Sequence, residues 1–346
     1  MKRGASLAIE QFNAAGGLDG QPVGLQIEDD KGEPNEATNI AKKLVSDDTI
    51  KVVVGHFNSA CTNAAKDTYN TKGLVEFTPA STNVTICRDA PWTFRNLYHD
   101  DYQGRYIAYY VKNKLGHSKA AIAFENDDYG RGLKEAITAY AAEYGLEIVA
   151  EVNWIRERNM DFKTPATTLQ EAQPETVIIA GLYNEALLLS KVIRNDLGWR
   201  DVTILGSDGV MDDTVIEQGG EAAEGLMITT PFYYSADASD TAKAFGEAYQ
   251  AKFKEQPNTW AALTYDAVNM VLQGLKEAGA DRTKLKDWLA AKTTPESGVE
   301  GVTGKTWFDQ NGDCYSKPAQ TVVVRNGAFT LAEKQVTPEE LPVEGE

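Results

Sequence analysis

From residue 51 to residue 230, short apolar runs alternate with amphipathic stretches, and this alternation is what most limits the folds open to the chain. Runs at 51–55, 74–78, 120–124, 147–152, 175–180, 202–205 and 225–230 are short and predominantly apolar. Between most of them lie segments with apolar residues at helical spacing: 60–71, 103–115, 130–144, 164–172 and 184–197. Apolar strands joined through helices make a parallel sheet covered on both faces, so the expected class is α/β with doubly wound sheets. The pattern also extends towards the start. Ala5, Ala8, Ile9, Phe12 and Ala15 form one helical stripe stopped by Gly16–Gly17. Val23, Leu25 and Ile27 then alternate as a strand, and Ala37, Ile40, Ala41, Leu44 and Val45 form a second helix opened by "EPNE".

Past residue 231 the rhythm changes. Helices are expected at about 239–255 and 260–278 with no strong strand between them, then a short one near 283–291. In "TVVVRNGAFTL", Asn326–Gly327 separates two alternating runs, a hairpin signal. The acidic, Pro-bearing end, 336–346, reads as a flexible tail. No low-complexity linker is present, so two lobes would exchange the chain through ordered segments. The candidates are "FRNLY" (94–98), "ITTPF" (228–232) and the stretch after "FDQNGD" (308–313). The expected lobes are 1–97 with 231–315, and 98–230 with 316–335.

Composition narrows the function. With 346 residues, 42% of them hydrophobic, the chain can bury about three quarters of its unfolded surface. Its 34 basic and 51 acidic residues give a net charge of −17, which argues against nucleic acid as a partner and against a polybasic membrane patch. No run reaches the ~18 apolar residues of a membrane span, and "MKRGASLAIEQF" lacks the apolar segment of a signal peptide. Cys61, Cys87 and Cys314 show no metal spacing, and the only histidines are His56, His99 and His117, so neither a metal site nor a histidine triad is expected. Cys61 and Cys87, both near strand ends of the N-terminal third, form either one disulfide or two buried free thiols. "DDYGRG" is not a phosphate-binding fingerprint, "DQNGDC" (309–314) lacks the key positions of a calcium loop and reads as a turn, and "NVT" (83–85) is a sequon by pattern only. No cofactor is expected. An enzyme would need a nucleophile with its base, a metal cluster or a cofactor fingerprint, and the sequence supplies none of these.

In open α/β sheets ligands bind beyond the carboxyl ends of the strands, which directs attention to "GHFNSAC", "TPAST", "ENDDYG", "GLYNE" and "GSDGV". Ser59 falls at the start of the helical face Cys61, Ala64, Ala65, Thr68 and Tyr69, where it is either a plain cap or part of an anion-binding helix end. Ser81 and Thr82 carry the same two readings. Asp208, between Gly206 and Gly209, is either a turn aspartate or the counter-charge for a ligand ammonium. Tyr129 and Tyr183 suit a lid over a small amphiphile, or else ordinary core or surface packing.

In the order and spacing of "VVVGHFNSACT", "FTPAST", "FENDDYGRGL", "MDF", "VIIAGLYNEALLLSKVIRNDLG", "ILGSDGV" and "GVTGKTWFDQNGD", the chain resembles the type I periplasmic solute-binding proteins of ABC importers. The likeness is to the leucine/isoleucine/valine-binding branch and covers nearly the whole chain. It implies two doubly wound, Rossmann-like lobes joined by a three-stretch hinge and closing on an amino acid, which is then passed to the membrane permease. It also implies a monomer in the periplasm or another extracytoplasmic space. By the same resemblance Ser59 and Thr82, with Ser81 and Asn58 beside them, grip the ligand carboxylate. The Ala80 carbonyl and Asp208 meet the ammonium, Phe57 lines the side-chain pocket, and Tyr129 and Tyr183 form the lid. Two departures stand out. Asp208 replaces the glutamate of the best-known branched-chain binders, and the family's first strand, which precedes the opening helix, is expected to be missing from this chain. The competing expectation is a sensor or binding protein of the same fold for an amide, urea or aromatic acid.

Overall fold

The apolar runs become strands and the amphipathic stretches become helices in the computed structural model, which describes residues 1–158, 161–235 and 238–342. The chain begins with α1 (Lys2–Ala14), α2 (Pro34–Val45), β1 (Val52–Val54), α3 (Ser59–Lys72), β2 (Val75–Thr78) and β3 (Thr93–Arg95). It continues with α4 (Asp100–Tyr109), β4 (Lys119–Glu125), α5 (Asp128–Tyr144), β5 (Glu147–Trp154), α6 (Lys163–Glu171), β6 (Thr176–Ala180), α7 (Tyr183–Lys191), β7 (Thr203–Gly206), α8 (Thr214–Gly219) and β8 (Met227–Thr230). The remaining elements are α9 (Asp240–Phe253), α10 (Thr259–Ala278), α11 (Arg282–Ala290), β9 (Gln320–Arg325) and β10 (Ala328–Leu331). Two compact units result, one of Met1–His99 with Tyr234–Lys317, the other of Asp100–Tyr233 with Pro318–Pro342.

The first unit is built on a parallel sheet of order β1-β2-β3. Phe77, Phe94 and Phe308 pack edge-on or tilted with ring centroids 5.2 to 6.5 Å apart, joined by Met270, Val271, Leu275, Leu285 and Leu289 from α10 and α11. On the other side α2 and α3 bury Ile40, Leu44, Cys61 and Tyr69. The strand expected at Val23–Ile27 does not form. Asn13 ties down Val23 through two bonds of 2.8 and 2.9 Å, but no described residue pairs with the segment, and Leu25 and Ile27 are 41% and 49% exposed. Alternation alone makes no strand without a neighbouring ladder.

The second unit carries a sheet of order β10-β9-β8-β7-β6-β4-β5, parallel except for β9, which runs antiparallel to β8 and to β10. Asn326 and Gly327 join β9 to β10 with φ of 53° and 70°, the left-handed pair of a tight hairpin turn. Both α4 and α7 run on into wider turns, Tyr110–Leu115 and Val192–Asp196, so the long expected helices 103–115 and 184–197 are each composite. In the tail Val336 and Leu341 are buried and Lys114 holds Glu340 at 2.6 Å, while 343–346 lie outside the described residues. An acidic, Pro-rich composition did not reveal those two apolar anchors. Met160 of "MDF" also lies outside the described residues.

The Cys61–Cys87 bond does not form, and all three cysteines are free and buried. Cys61 is packed inside the α2/α3 cluster, whereas the Cys87 thiol donates to the Gly312 carbonyl at 3.5 Å. Nearness in sequence to strand ends did not place the two sulfurs together.

Candidate functional site

In the first unit the groups singled out from the sequence converge beyond the carboxyl ends of β1 and β2. The Asn58 backbone is extended and its side chain makes no capping bond. Its carbonyl accepts the amides of Cys61 and Thr62, both at 3.0 Å, which leaves the Ser59 and Ala60 amides without an acceptor among the described residues. A helix start of this kind offers free N–H groups and the positive end of the dipole. Ser59 is buried, and its hydroxyl oxygen accepts the Asn83 amide at 3.3 Å, so its own proton remains available.

Thr82 is buried without a hydrogen bond from its hydroxyl among the described residues, but Ser81 is not equivalent to it. The Ser81 hydroxyl lies 2.7 Å from that of Thr62 and reaches the carbonyls of His56 and Phe57 at 3.2 and 3.0 Å. The Ser81 hydroxyl thus fastens the β1 and β2 loops to each other, its proton being directed at these carbonyls. Thr78 adds a bond to the same His56 carbonyl at 2.7 Å. His56 is fixed in turn by Asp30 at 2.6 Å and the Tyr69 hydroxyl at 3.2 Å.

Ala80 packs with Leu97, Trp260 and Leu263, and Phe57 sits edge-on to Trp260 at 5.0 Å. These residues make an apolar wall beside the polar groups. Sequence reasoning missed Trp260, because a tryptophan in the first turn of a long apolar helix reads as core.

In the second unit the chain reverses direction across the sheet between β4 and β6, since β5 lies outside β4 and β6 to β8 lie on its other side. Such a switch point opens a crevice at the strand ends. Tyr129 follows β4, Tyr183 follows β6 and Asp208 follows β7. Asp208 is 1% exposed, and its Oδ2 has no hydrogen-bond partner within normal distance among the described residues. Burial raises its carboxyl to about 6, against the opposing pull of the Tyr129 hydroxyl, the Gln103 side chain and the Gly209 amide. Glycine is required at 209, where a Cβ would come within 2.7 Å of the Gly181 carbonyl and 3.1 Å of the Tyr129 ring.

The Tyr129 hydroxyl contacts Asp208 Oδ1, lies 2.8 Å from Ser207 Oγ and accepts the Gly209 amide at 3.3 Å. Tyr183, in the first turn of α7, is only partly buried. Beside them Glu125 holds Arg156 at 2.7 Å, and burial first, then the nearby Asp127, pushes its carboxyl up to about 7.

One unit thus presents donors suited to a carboxylate and the other a buried acid suited to a cation, each beyond strand ends of an α/β sheet. The chain belongs to the Periplasmic binding protein family, which it matches over residues 1–328. It is similar, at 30% identity over 315 residues, to the leucine-, isoleucine-, valine-, threonine- and alanine-binding protein of Pseudomonas aeruginosa, a match covering 90% of this chain and 81% of that protein. The Leu/Ile/Val-binding protein of Escherichia coli is 28% identical over 312 residues, 90% of this chain and 82% of that one. Among solved structures, the branched-chain amino acid transporter substrate binding protein LivJ from Streptococcus pneumoniae, in complex with isoleucine, matches with a TM-score of 0.88 at 31% identity, covering 97% of this chain and 93% of that chain.

Proposed function

We propose that this protein is the substrate-binding component of an ABC importer and that its ligand is an amino acid of the branched-chain type or a close relative. The observation that carries the reading is Asp208, a buried carboxyl at the strand ends of the second unit with one oxygen that no described residue hydrogen-bonds. Burying an ionisable group without a full set of partners is costly, and a ligand ammonium would supply the missing one. The Ser59 and Ala60 amides, the Ser59 and Thr82 hydroxyls and the Ala80 carbonyl are the matching groups for the carboxylate and ammonium of the same ligand. Phe57 and Trp260 suit an apolar side chain. Tyr183, and the backbone around Asn58, complete the set. Delivery to a permease, a periplasmic location, a monomeric state and the absence of catalysis follow the same reading.

Isothermal titration and thermal shift with leucine, isoleucine, valine, an aromatic acid and short amides test it. A ligand held at about 100 times its Kd adds about 2.7 kcal/mol to stability, a clear rise in melting temperature. Branched-chain amino acids should give that rise. Binding of an aromatic acid or amide with none of an amino acid would overturn the assignment in favour of the same-fold sensor.

A further inference from the structure

Arg95 is fully buried at the end of β3, and its planar guanidinium reaches one carboxylate and two loop carbonyls. Nε and Nη2 both lie 2.5 Å from Asp313 Oδ1. Nη1 donates to the Asn83 carbonyl at 2.9 Å and to the Ser81 carbonyl at 3.3 Å. These two carbonyls flank Thr82. The neighbouring Asn83 amide donates to Ser59 Oγ, so the loop held by Arg95 also touches the second hydroxyl of the carboxylate set.

The "DQNGDC" turn has a role in this arrangement. Asp309 Oδ1 accepts the amides of Asn311 and Asp313 at 2.8 and 2.9 Å, and the Asp309 amide donates to the Asp313 carbonyl at 2.8 Å. Gly312 takes φ of 97° where a Cβ would strike the Thr93 carbonyl at 2.6 Å, and its own carbonyl accepts the Arg95 amide at 3.1 Å. The turn thereby delivers Asp313 to Arg95 from a part of the chain more than two hundred residues away in sequence.

We propose that the Arg95–Asp313 pair is a positioning device for carboxylate recognition: it fixes the Ser81–Asn83 loop so that the Thr82 hydroxyl and amide stay aimed at the ligand. The inference rests on the amino-acid reading above. Its physical basis is geometric, because a planar guanidinium can bridge the two carbonyls on either side of Thr82 and a carboxylate together, whereas a lysine ammonium cannot. A charge buried only for packing would have no reason to select the two carbonyls on either side of Thr82.

The test compares L-leucine with L-leucinamide, which keeps the ammonium and side chain but lacks the carboxylate. In Arg95→Lys, titration calorimetry should show leucine binding weakened about ten-fold or more with leucinamide little changed, so the preference between the two collapses. In a double-mutant cycle, Arg95→Lys added to Thr82→Val should cost less than about two-fold further, since the device acts through Thr82. Equal losses for both ligands, or fully additive losses in the cycle, would overturn the proposal and leave a packing role. If Arg95→Lys loses its cooperative thermal transition, Asp313→Asn is read in its place, with the same selective loss expected and the same refuting outcomes. A wild-type protein that binds leucine and leucinamide equally would overturn the carboxylate assignment itself, and the Arg95 proposal with it.

Discussion

Lowering the pH should weaken amino-acid binding through Asp208, and the size of the effect follows from its surroundings. Burial raises this carboxyl to about 6, from an ordinary aspartate value of about 3.9. Only the ionised form pairs with an ammonium, so affinity should be level above about pH 7 and fall below about 6. Near pH 5 roughly one-tenth of the carboxyl is ionised, which makes the apparent Kd about ten-fold weaker. The unliganded protein should respond in the opposite sense. A carboxyl raised in the folded state contributes stability in its neutral form, present below about 3.9 and lost as pH rises through about 6, a swing of about 3 kcal/mol over roughly two units. Titration calorimetry and urea unfolding at matched pH values measure both effects, and Asp208→Asn should abolish both. A Kd that stays flat between about pH 8 and 5, or a pH profile unchanged in Asp208→Asn, would refute the reasoning. Glu125, pushed up to about 7 mainly by burial, titrates in the same range, and Glu125→Gln separates its contribution.

Two further perturbations follow. Tyr129→Phe removes the hydroxyl that faces Asp208 Oδ1 and Ser207; the Asp208 carboxyl should rise further and the fold lose about 1–3 kcal/mol, seen as an upward shift of the pH midpoint for binding and a lower urea midpoint. Phe308→Ala opens the aromatic cluster with Phe77 and Phe94 and should cost about 3–5 kcal/mol by calorimetric unfolding, while any ligand binding that survives keeps its pH midpoint.

Local pattern and tertiary context contributed differently to what could be read. Most helices and the strands other than β3 were legible because apolar runs and helical periods record burial in the sequence, and Asn326–Gly327 because a two-residue hairpin demands positive φ. The strand β3 was missed, since the three residues Thr93–Arg95 are too few to show any period. Of the candidate site, the placement of Ser59, Thr82 and Asp208 beyond strand ends was legible from local pattern. The difference between Ser81 and Thr82 could not: adjacent hydroxyls of the same chemistry diverge only because Thr62 and two carbonyls from the β1 loop reach one of them. Arg95, Trp260 and Gln103 escaped for a related reason, each acquiring its role from residues distant in sequence.

The sequence by itself therefore determined the α/β class, the order of the elements and the positions where polar groups meet strand ends, because these depend on hydrophobic period, turn chemistry and composition, all of which act over a few neighbouring residues. Only the tertiary structure decided which hydroxyls the described residues engage, that Asp208 is buried, that Cys61 and Cys87 stay apart, and that Asp313 reaches Arg95. Solvation, hydrogen-bond saturation and charge pairing are properties of atoms brought together across long chain separations, and they take their values only once the chain has folded.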